Sequence, residues 1–189
     1  MLVWLYWLIK CKYESSNSLR CCWIWRNSIN EISPTSNFAF ASSYATILED
    51  PEVQAVVVAT PVQTHFNLVS AALKAKKHVF VEKPLCLLES ELQEIIEKQA
   101  ETNKAVMVGF NRRFSPLTAK LKKAVGNNPM TMLYRINAGA IPRDNWIQDL
   151  EIGGGRVLGE VCHFIDYLTY LNENHMQINI LLIVSKENH

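Results

Sequence analysis

Glycine is scarce in this chain of 189 residues, which has seven glycines and none before Gly109. A glycine-rich loop that wraps phosphate groups needs several glycines within a few positions. The region before Gly109 therefore cannot contain a phosphate-binding loop of this kind. Glycines cluster only later, at 153–155.

The chain also has no large excess of charge of one sign and no long apolar run. The 19 Lys and Arg residues balance 18 Asp and Glu residues, for a formal net charge of +1. This balance gives no reason to expect nucleic acid or an anionic membrane as a partner. The apolar opening Met1–Ile9 is too short to span a bilayer. It has no positive segment before it, which disfavours a secretory signal and leaves a buried strand as the alternative.

Cysteines with paired, metal-binding spacing are absent too. The five cysteines form an odd set, Cys11, Cys21, Cys22, Cys86 and Cys162. Reduced thiols of a cytoplasmic protein are the simplest interpretation. The adjacent Cys21 and Cys22 leave a redox role open, but their spacing favours an ordinary pair of thiols.

What is present begins with a strand, helix and strand between Val53 and Pro84. The apolar run at 55–59 suits a parallel strand, and residues 65–73 place apolar side chains at helical spacing. The second strand, His78–Val81, runs into Glu82-Lys83-Pro84 at its carboxyl end. Open α/β sheets place ligands at this end, so Lys83 is positioned for chemistry.

Further elements extend this α/β pattern on both sides. A short helix is predicted at Tyr44–Leu48, and an amphipathic helix follows Pro84 with weak capping at Leu87 or Leu88. Another buried strand (Ala105–Phe110) and a basic helix (Pro116–Val125) come next. The pattern predicts a parallel sheet with helices on both faces.

The chain divides into three parts by pattern. Residues 1–32 have no clear period and stay unassigned, 33–126 carry the α/β pattern, and 127–189 begin a second, α+β domain. In the last part we predict a strand at Met130–Asn137 and a strand without partners at Ile178–Val184. Between them, Glu160, His163 and Asp166 share one face of a helix.

Several motifs occur in a fixed order along the chain. They are Asp50–Val56, Thr60-Pro61, His65, Lys77–Pro84, Gly109-Phe110, Arg113-Phe114, and Gly154-Gly155 eight residues before His163. In this order they resemble the Gfo/Idh/MocA family of NAD(P)-dependent oxidoreductases over residues 38–171. The resemblance implies a Rossmann-like dinucleotide-binding domain, incomplete at its start, in 33–126. It also implies a truncated substrate and oligomerisation domain in 127–189 and a cis Lys83–Pro84 peptide.

The resemblance further implies hydride transfer between NAD or NADP and a sugar-like or polyol secondary alcohol, without a metal. Catalytic roles fall to Lys83, His163 and Glu160, because the hydroxyl proton must leave and His has a pKa suited to accept it. Cofactor contacts fall to Thr60, Pro61, Glu82, Lys83 and Pro84, and substrate contacts to Arg112, Arg113 and Asp166. Copies of the chain are expected to associate through the sheet of the second domain.

Each of these residues also has a structural interpretation. Lys83 alone is an ordinary lysine at a strand end, and Thr60-Pro61 alone is a turn. Arg112 and Arg113 are equally well explained as surface charges or as residues of the substrate cleft. His65 is expected to belong structurally to the first turn of its helix.

Two departures from the family pattern bear on function. Members usually carry Asp four residues before the catalytic His, where this chain has Gly159, so either Glu160 substitutes or the contact is lost. The G-x-G-x-x-G turn that holds the pyrophosphate is missing before Lys83. This absence predicts weak cofactor binding. It leaves an alternative, a non-catalytic fragment or interaction protein that keeps the fold.

Overall fold

The computed structural model describes residues 43–126, 131–137, 139–142, 144–150 and 152–172, together with the backbone of 7–14, 18–25 and 39–40. The strands in these residues are β1 (Trp7–Glu14), β2 (Ser18–Trp25), β3 (Ala39–Phe40), β4 (Ala55–Ala59), β5 (His78–Val81) and β6 (Val106–Val108). The α-helices are α1 (Tyr44–Glu49), α2 (His65–Lys74), α3 (Glu89–Thr102), α4 (Pro116–Val125) and α5 (Cys162–Leu171).

The described strands form one sheet in the order β3-β2-β1-β4-β5-β6. β4 pairs in parallel with β5, and β5 with β6, so that Val56 lies beside Val79 and Val79 beside Val106. This arrangement confirms the predicted parallel sheet. The carboxyl ends of the three strands therefore meet at one edge, which is where Thr60 and Glu82-Lys83 follow β4 and β5.

The N-terminal stretch that the pattern left unassigned contributes two strands to this sheet. β1 pairs antiparallel with both β2 and β4, whereas β2 and β3 run parallel. The spatial order matches the doubly wound dinucleotide-binding sheet, 3-2-1-4-5-6, but β1 is reversed. The carboxyl end of β1 consequently lies at the edge opposite to Thr60 and Lys83.

Apolar side chains from alternate positions of β4 and β5 form the centre of the core. Val56, Val58, Val79 and Val81 are each at most 3% exposed, and they pack with Val69 and Leu73 of α2. Ile47 of α1 and Ile95 of α3 complete this cluster. Each such side chain stabilises the fold by about 1.5–3 kcal/mol on burial, which fixes the strand ends that carry the site.

The helix boundaries have local causes. Pro116 occupies the first turn of α4, where its missing N–H costs nothing. The backbone N–H groups of Leu87 and Leu88 donate to Glu91 Oε2 at 3.1 and 3.2 Å, so Glu91 compensates for the weak cap predicted at the start of α3. α3 ends at Asn103, whose φ of 52° is left-handed.

The strand predicted at Met130–Asn137 is wrong over 131–137, which have no regular secondary structure and no strand partner among the described residues. An extended pattern forms a strand only where another strand satisfies its backbone groups. The strand predicted at Ile178–Val184 lies outside the described residues. The helix predicted within 152–171 is present as α5, preceded by a π-helical turn at Val157–Val161. Within the described part of the chain, every helix is too short or too polar to cross a membrane.

Candidate active site

Lys83 extends from the carboxyl end of β5 to the turn that precedes α5. The N–H of Glu82 donates to Val58 O at 2.8 Å, which closes the pairing of β5 with β4 one residue before Lys83. The Lys83–Pro84 peptide is cis, as the resemblance implied. Lys83 Nζ donates to Gly159 O at 2.6 Å and lies 3.9 Å from Glu160 Oε1. The ammonium group is thus held between β5 and α5.

His163 lies in the first turn of α5 beside this lysine. Its residue surface is 8% exposed, and its ring meets the Phe110 ring edge-on at a centroid distance of 6.1 Å. Burial lowers the pKa of His163, and the positive charges of Lys83 and Arg112 lower it further against the opposing carboxylates of Glu160 and Asp166. The ring therefore favours its neutral form, which can accept a proton.

The position four residues before His163 bears on one atom of its ring. His163 Nδ1 is buried and has no hydrogen-bond partner among the residues that the structure describes. Gly159 has no side chain to offer one, and the Glu160 carboxylate lies towards Lys83 instead. Whether Glu160 substitutes for the aspartate of the family pattern stays a prediction, and Glu160 Oε1 lies 3.9 Å from Lys83 Nζ.

The carboxyl end of β4 is organised by hydroxyl groups. Thr64 Oγ1 donates to Pro61 O at 2.7 Å, which leaves Thr60 Oγ1 as the donor in its 2.6 Å contact with Thr64 Oγ1. His65, the first residue of α2, contacts Thr60 O through Nε2 at 2.8 Å and Pro84 O through Nδ1 at 2.7 Å. His65 lies in the first turn of its helix, as predicted, and it links the ends of β4 and β5.

Glu82 lies over the end of β6. A Cβ atom at Gly109 would lie 3.2 Å from both Cδ and Oε2 of Glu82, so the absence of a side chain at 109 leaves room for this carboxylate. Glycine at 153 serves a similar purpose in the turn before α5, because a Cβ there would come within 2.7 Å of Trp146 O. A Cβ at Gly154, whose φ is 70°, would lie 2.5 Å from Cδ2 of Leu87. These glycines bring the turn against the loop that follows Pro84.

The predicted substrate residues mainly contact one another and the aromatic rings of α5. Arg113 Nε donates to Asp166 Oδ2 at 2.8 Å, and Arg113 Nη2 bonds the other carboxylate oxygen. The side chain of Asp166 is 7% exposed. The Arg112 guanidinium stacks over Phe164 at 4.7 Å from the ring centroid. Asp166 therefore orients Arg113, and Arg112 keeps its positive charge near His163.

The sequence did not identify the acceptor that holds Lys83, since Gly159 acts through its backbone carbonyl and a backbone atom has no residue signature. It likewise did not identify the link through His65, although the position of His65 was marked by the family motif. Histidine, cysteine and carboxylate side chains of the described residues form no group of three or more suited to a metal ion.

The residues predicted to contact the cofactor lie at one edge of the sheet. The turns after β4 and β5 provide Thr60, Pro61 and the Glu82–Pro84 segment at a common edge, next to Lys83 and His163. The pyrophosphate end lacks its glycine turn, and β1 points away from this edge. The arrangement defines an α/β dinucleotide-binding fold with a lysine and a histidine at the carboxyl edge of its sheet.

Comparisons with known proteins agree with this class. Residues 20–110 match the model of the oxidoreductase family GFO_IDH_MocA, described as an NAD-binding Rossmann fold. The myo-inositol 2-dehydrogenase of Thermotoga maritima is 36% identical over 126 residues, which are 66% of this chain and 38% of that protein. The NAD⁺-dependent scyllo-inositol 2-dehydrogenase of Bacillus subtilis is 42% identical over 79 residues, 42% of this chain and 23% of that one.

Solved structures give the same result. A probable dehydrogenase from Thermotoga maritima superposes with a TM-score of 0.59 at 31% identity, over 72% of this chain and 42% of that one. A levoglucosan dehydrogenase in complex with NADH superposes with a TM-score of 0.59 at 29% identity, over 70% and 38% of the two chains. The chain belongs to the Gfo/Idh/MocA family, whose NAD-binding Rossmann fold takes NAD(P) as its cofactor. It spans about two fifths of the first relative's length.

Proposed function

We propose that the protein is an NAD(P)-dependent oxidoreductase that transfers a hydride between the nicotinamide and a secondary alcohol carbon of a sugar-like or polyol substrate. The observation that carries the proposal is the contact of Lys83 with the turn before His163, across 76 residues of sequence. The named activities of the inositol and levoglucosan dehydrogenases to which the chain is similar support the substrate class.

The proposed roles follow from charge and proton affinity. In the direction of oxidation, neutral His163 accepts the proton of the substrate hydroxyl, because its lowered pKa keeps a nitrogen lone pair available at neutral pH. Lys83, held by Gly159 O and near Glu160, stabilises the negative charge that develops on the hydroxyl oxygen. A bound nicotinamide would supply the hydride acceptor for the same carbon.

The remaining residues have supporting roles in this proposal. Thr60, Pro61 and the Glu82–Pro84 segment would contact the nicotinamide end of the cofactor at the strand edge. Glu160 partly neutralises Lys83, while Asp166 and Arg113 hold α5 against the 111–114 turn. Arg112 carries a positive charge near His163 and is the candidate contact to substrate hydroxyl oxygens.

The alternative class, a non-catalytic fragment or interaction protein, is not favoured. The chain is similar to dehydrogenases over about 70% of its length in solved structures. The residues of the proposed site also lie within contact of one another. The missing glycine turn bears on cofactor affinity and not on the contacts between these residues.

The test is hydride transfer from polyols, measured as NADH or NADPH absorbance, with Lys83→Met and His163→Gln as variants. We expect wild-type turnover to fall about a hundredfold or more in either variant, because each removes a group that acts on the reacting oxygen. Lys74→Met is the matched control, since Lys74 is exposed at the far end of α2. Turnover that is equal in the wild type and Lys83→Met, or absent with every polyol at saturating cofactor, would contradict the proposal.

A further inference from the structure

His65 joins the two strand ends that form the proposed site, although it is 1% exposed. Its Nε2 lies 2.8 Å from Thr60 O, at the end of β4. Its Nδ1 lies 2.7 Å from Pro84 O, in the loop after β5. The ring therefore bridges two turns that are 24 residues apart, at residues 60 and 84.

Both of these contacts are to backbone carbonyl oxygens, which accept hydrogen bonds and never donate them. A neutral imidazole carries a single N–H and can satisfy one carbonyl. At 2.7 and 2.8 Å, both contacts are hydrogen bonds only when each ring nitrogen carries a hydrogen. The contact that reaches the loop after Lys83 is the one with Pro84 O, and it needs the hydrogen on Nδ1.

The bond to Pro84 matters because Pro84 directly follows Lys83. On the other side of Lys83, the N–H of Glu82 is fixed to Val58 O at 2.8 Å. The backbone of Lys83 is thus held on both sides, by a sheet hydrogen bond before it and by the His65 ring after it. The Lys83 side chain can then reach Gly159 O at 2.6 Å.

We propose that His65 is a positioning residue for Lys83, whose Nδ1–H donates to Pro84 O and holds the Lys83-Pro84 loop against the end of β4. The proposal rests on the proposed function, in which Lys83 acts on the substrate oxygen. A ring of equal size without N–H groups would fill the same volume but leave two carbonyl oxygens unpaired and the loop free to move.

Proton occupancy is tested on the wild-type chain by long-range ¹H–¹⁵N correlation at neutral pH. We expect His65 Nδ1, which faces Pro84 O, to have the chemical shift of a protonated nitrogen, with the signal assigned by its loss in His65→Gln. A His65 Nδ1 with the shift of an unprotonated lone pair overturns the bond to Pro84 and with it the positioning role.

Loop position is tested by acylation of lysines, read by mass spectrometry, in His65→Phe and His65→Gln. Lys83 is expected to react several-fold faster in both variants than in the wild type. Lys77, whose Nζ donates to Asp50 O at 2.8 Å, is the internal standard. His78→Gln is the matched control, since His78 is exposed at the amino end of β5. An unchanged Lys83 rate in a folded His65 variant overturns the positioning role.

Turnover measurements distinguish a failure of this proposal from a failure of the proposed function. If the wild type transfers hydride, His65→Gln should lower kcat by about tenfold or more, since misplacement of a catalytic group costs rate steeply. A wild type without hydride transfer contradicts the proposed function, while the nitrogen shifts and the Lys83 labelling still decide the role of His65. If both variants fail to fold, the Nδ1 shift of the wild type decides whether the ring donates to Pro84 O.

Discussion

At the scale of single residues, Gly159 has two opposite effects on the site. Its carbonyl oxygen holds Lys83 at 2.6 Å, but it has no side chain to pair with His163 Nδ1, which is buried without a partner among the described residues. A buried unsatisfied polar group costs about 1–3 kcal/mol. Within the described part of the chain, a Cβ at this position would lie 3.7 Å from Gly153 O, which is ordinary contact. The backbone can therefore accept a side chain here.

We predict that Gly159→Asp raises the pKa of His163. Positions four apart lie on the same helical face, so a carboxylate there can accept a hydrogen bond from Nδ1–H and stabilise the imidazolium. Gly159→Ala and Gly159→Asn are the matched controls, the first for helix propensity and the second for hydrogen bonding without charge. An NMR titration of the His163 ring checks the prediction, and an equal pKa in the Asp and Ala variants would refute it.

His163 also makes stability depend on pH. Its pKa is lowered in the folded state, chiefly by burial, below the ordinary value of about 6.5. As pH falls, the His163 ring is therefore protonated in the unfolded chain before it is protonated in the folded one. Protonation of this ring lowers the free energy of unfolding as pH falls from about 6.5 through the lowered pKa. Above about 6.5 the ring is neutral in both states, and the effect vanishes.

The expected result is that His163→Gln loses less stability than the wild type between pH 7 and pH 5. Urea midpoints measured across this range show the difference as a smaller slope in the variant. His78→Gln serves as the control, because its side chain is exposed at the far end of β5. Identical slopes in the wild type and His163→Gln would rule out the linkage.

At the scale of secondary-structure elements, α5 is attached to the Rossmann-like domain through cationic side chains. Arg113 bonds Asp166, Arg112 stacks over Phe164, and Lys122 lies 3.9 Å from the centre of the Tyr170 ring. Stacking of this kind contributes about 0.5–1 kcal/mol at exposed sites. The position of His163 relative to Lys83 therefore depends on polar contacts as much as on apolar packing.

We predict that Asp166→Asn destabilises the protein by about 1–2 kcal/mol, less than a fully buried pair would, because Arg113 is half-buried and partly solvated. A double-mutant cycle with Arg113→Leu should give a coupling energy of about 0.5 kcal/mol or more. Urea unfolding provides the free energies, with exposed Asp144→Asn as the control. Additive effects of the two substitutions would show that the pair does not hold α5.

The sequence correctly predicted the helices and strands whose ends are marked by specific residues. β5 and α4 have the predicted bounds, because Glu82-Lys83-Pro84 ends the apolar run of β5 and Pro116 starts α4. Residues 131–137 have a sequence pattern typical of a strand, but no partner strand lies among the described residues. Strand pairing cannot be predicted from the sequence of a single segment. The direction of β1 was equally hidden, since a strand's residues do not record the direction of its neighbours.

At the scale of the whole molecule, cofactor affinity depends on two ends of the predicted cofactor site. The nicotinamide end has its predicted residues at the strand edge, whereas the pyrophosphate end lacks the glycine turn. Without the glycine turn, the pyrophosphate loses backbone hydrogen bonds to a charged group, each worth about 1.5–3 kcal/mol. Two such losses weaken binding by about a hundredfold or more. We expect this chain to bind NADH at least that much more weakly than a family member with the G-x-G-x-x-G turn.

Reduced nicotinamide mononucleotide tests the cause, because it has the nicotinamide end without the pyrophosphate bridge. Calorimetric titration of both proteins should show a large affinity gap for NADH and a small gap for the mononucleotide. Micromolar NADH binding by this chain would refute the prediction. An equal gap for both ligands would place the defect at the nicotinamide end instead.

The reversed strand β1 has a consequence for solubility. Its backbone pairs with β4 from Trp7–Ala59 to Cys11–Ala55, so it covers the side of β4 that faces away from β5. If β1 detaches, β4 presents a free row of N–H and C=O groups beside the apolar residues Val56 and Val58, which is a template for edge-to-edge aggregation. While it is paired with β4, β1 therefore protects the sheet that holds Lys83 from edge-to-edge aggregation.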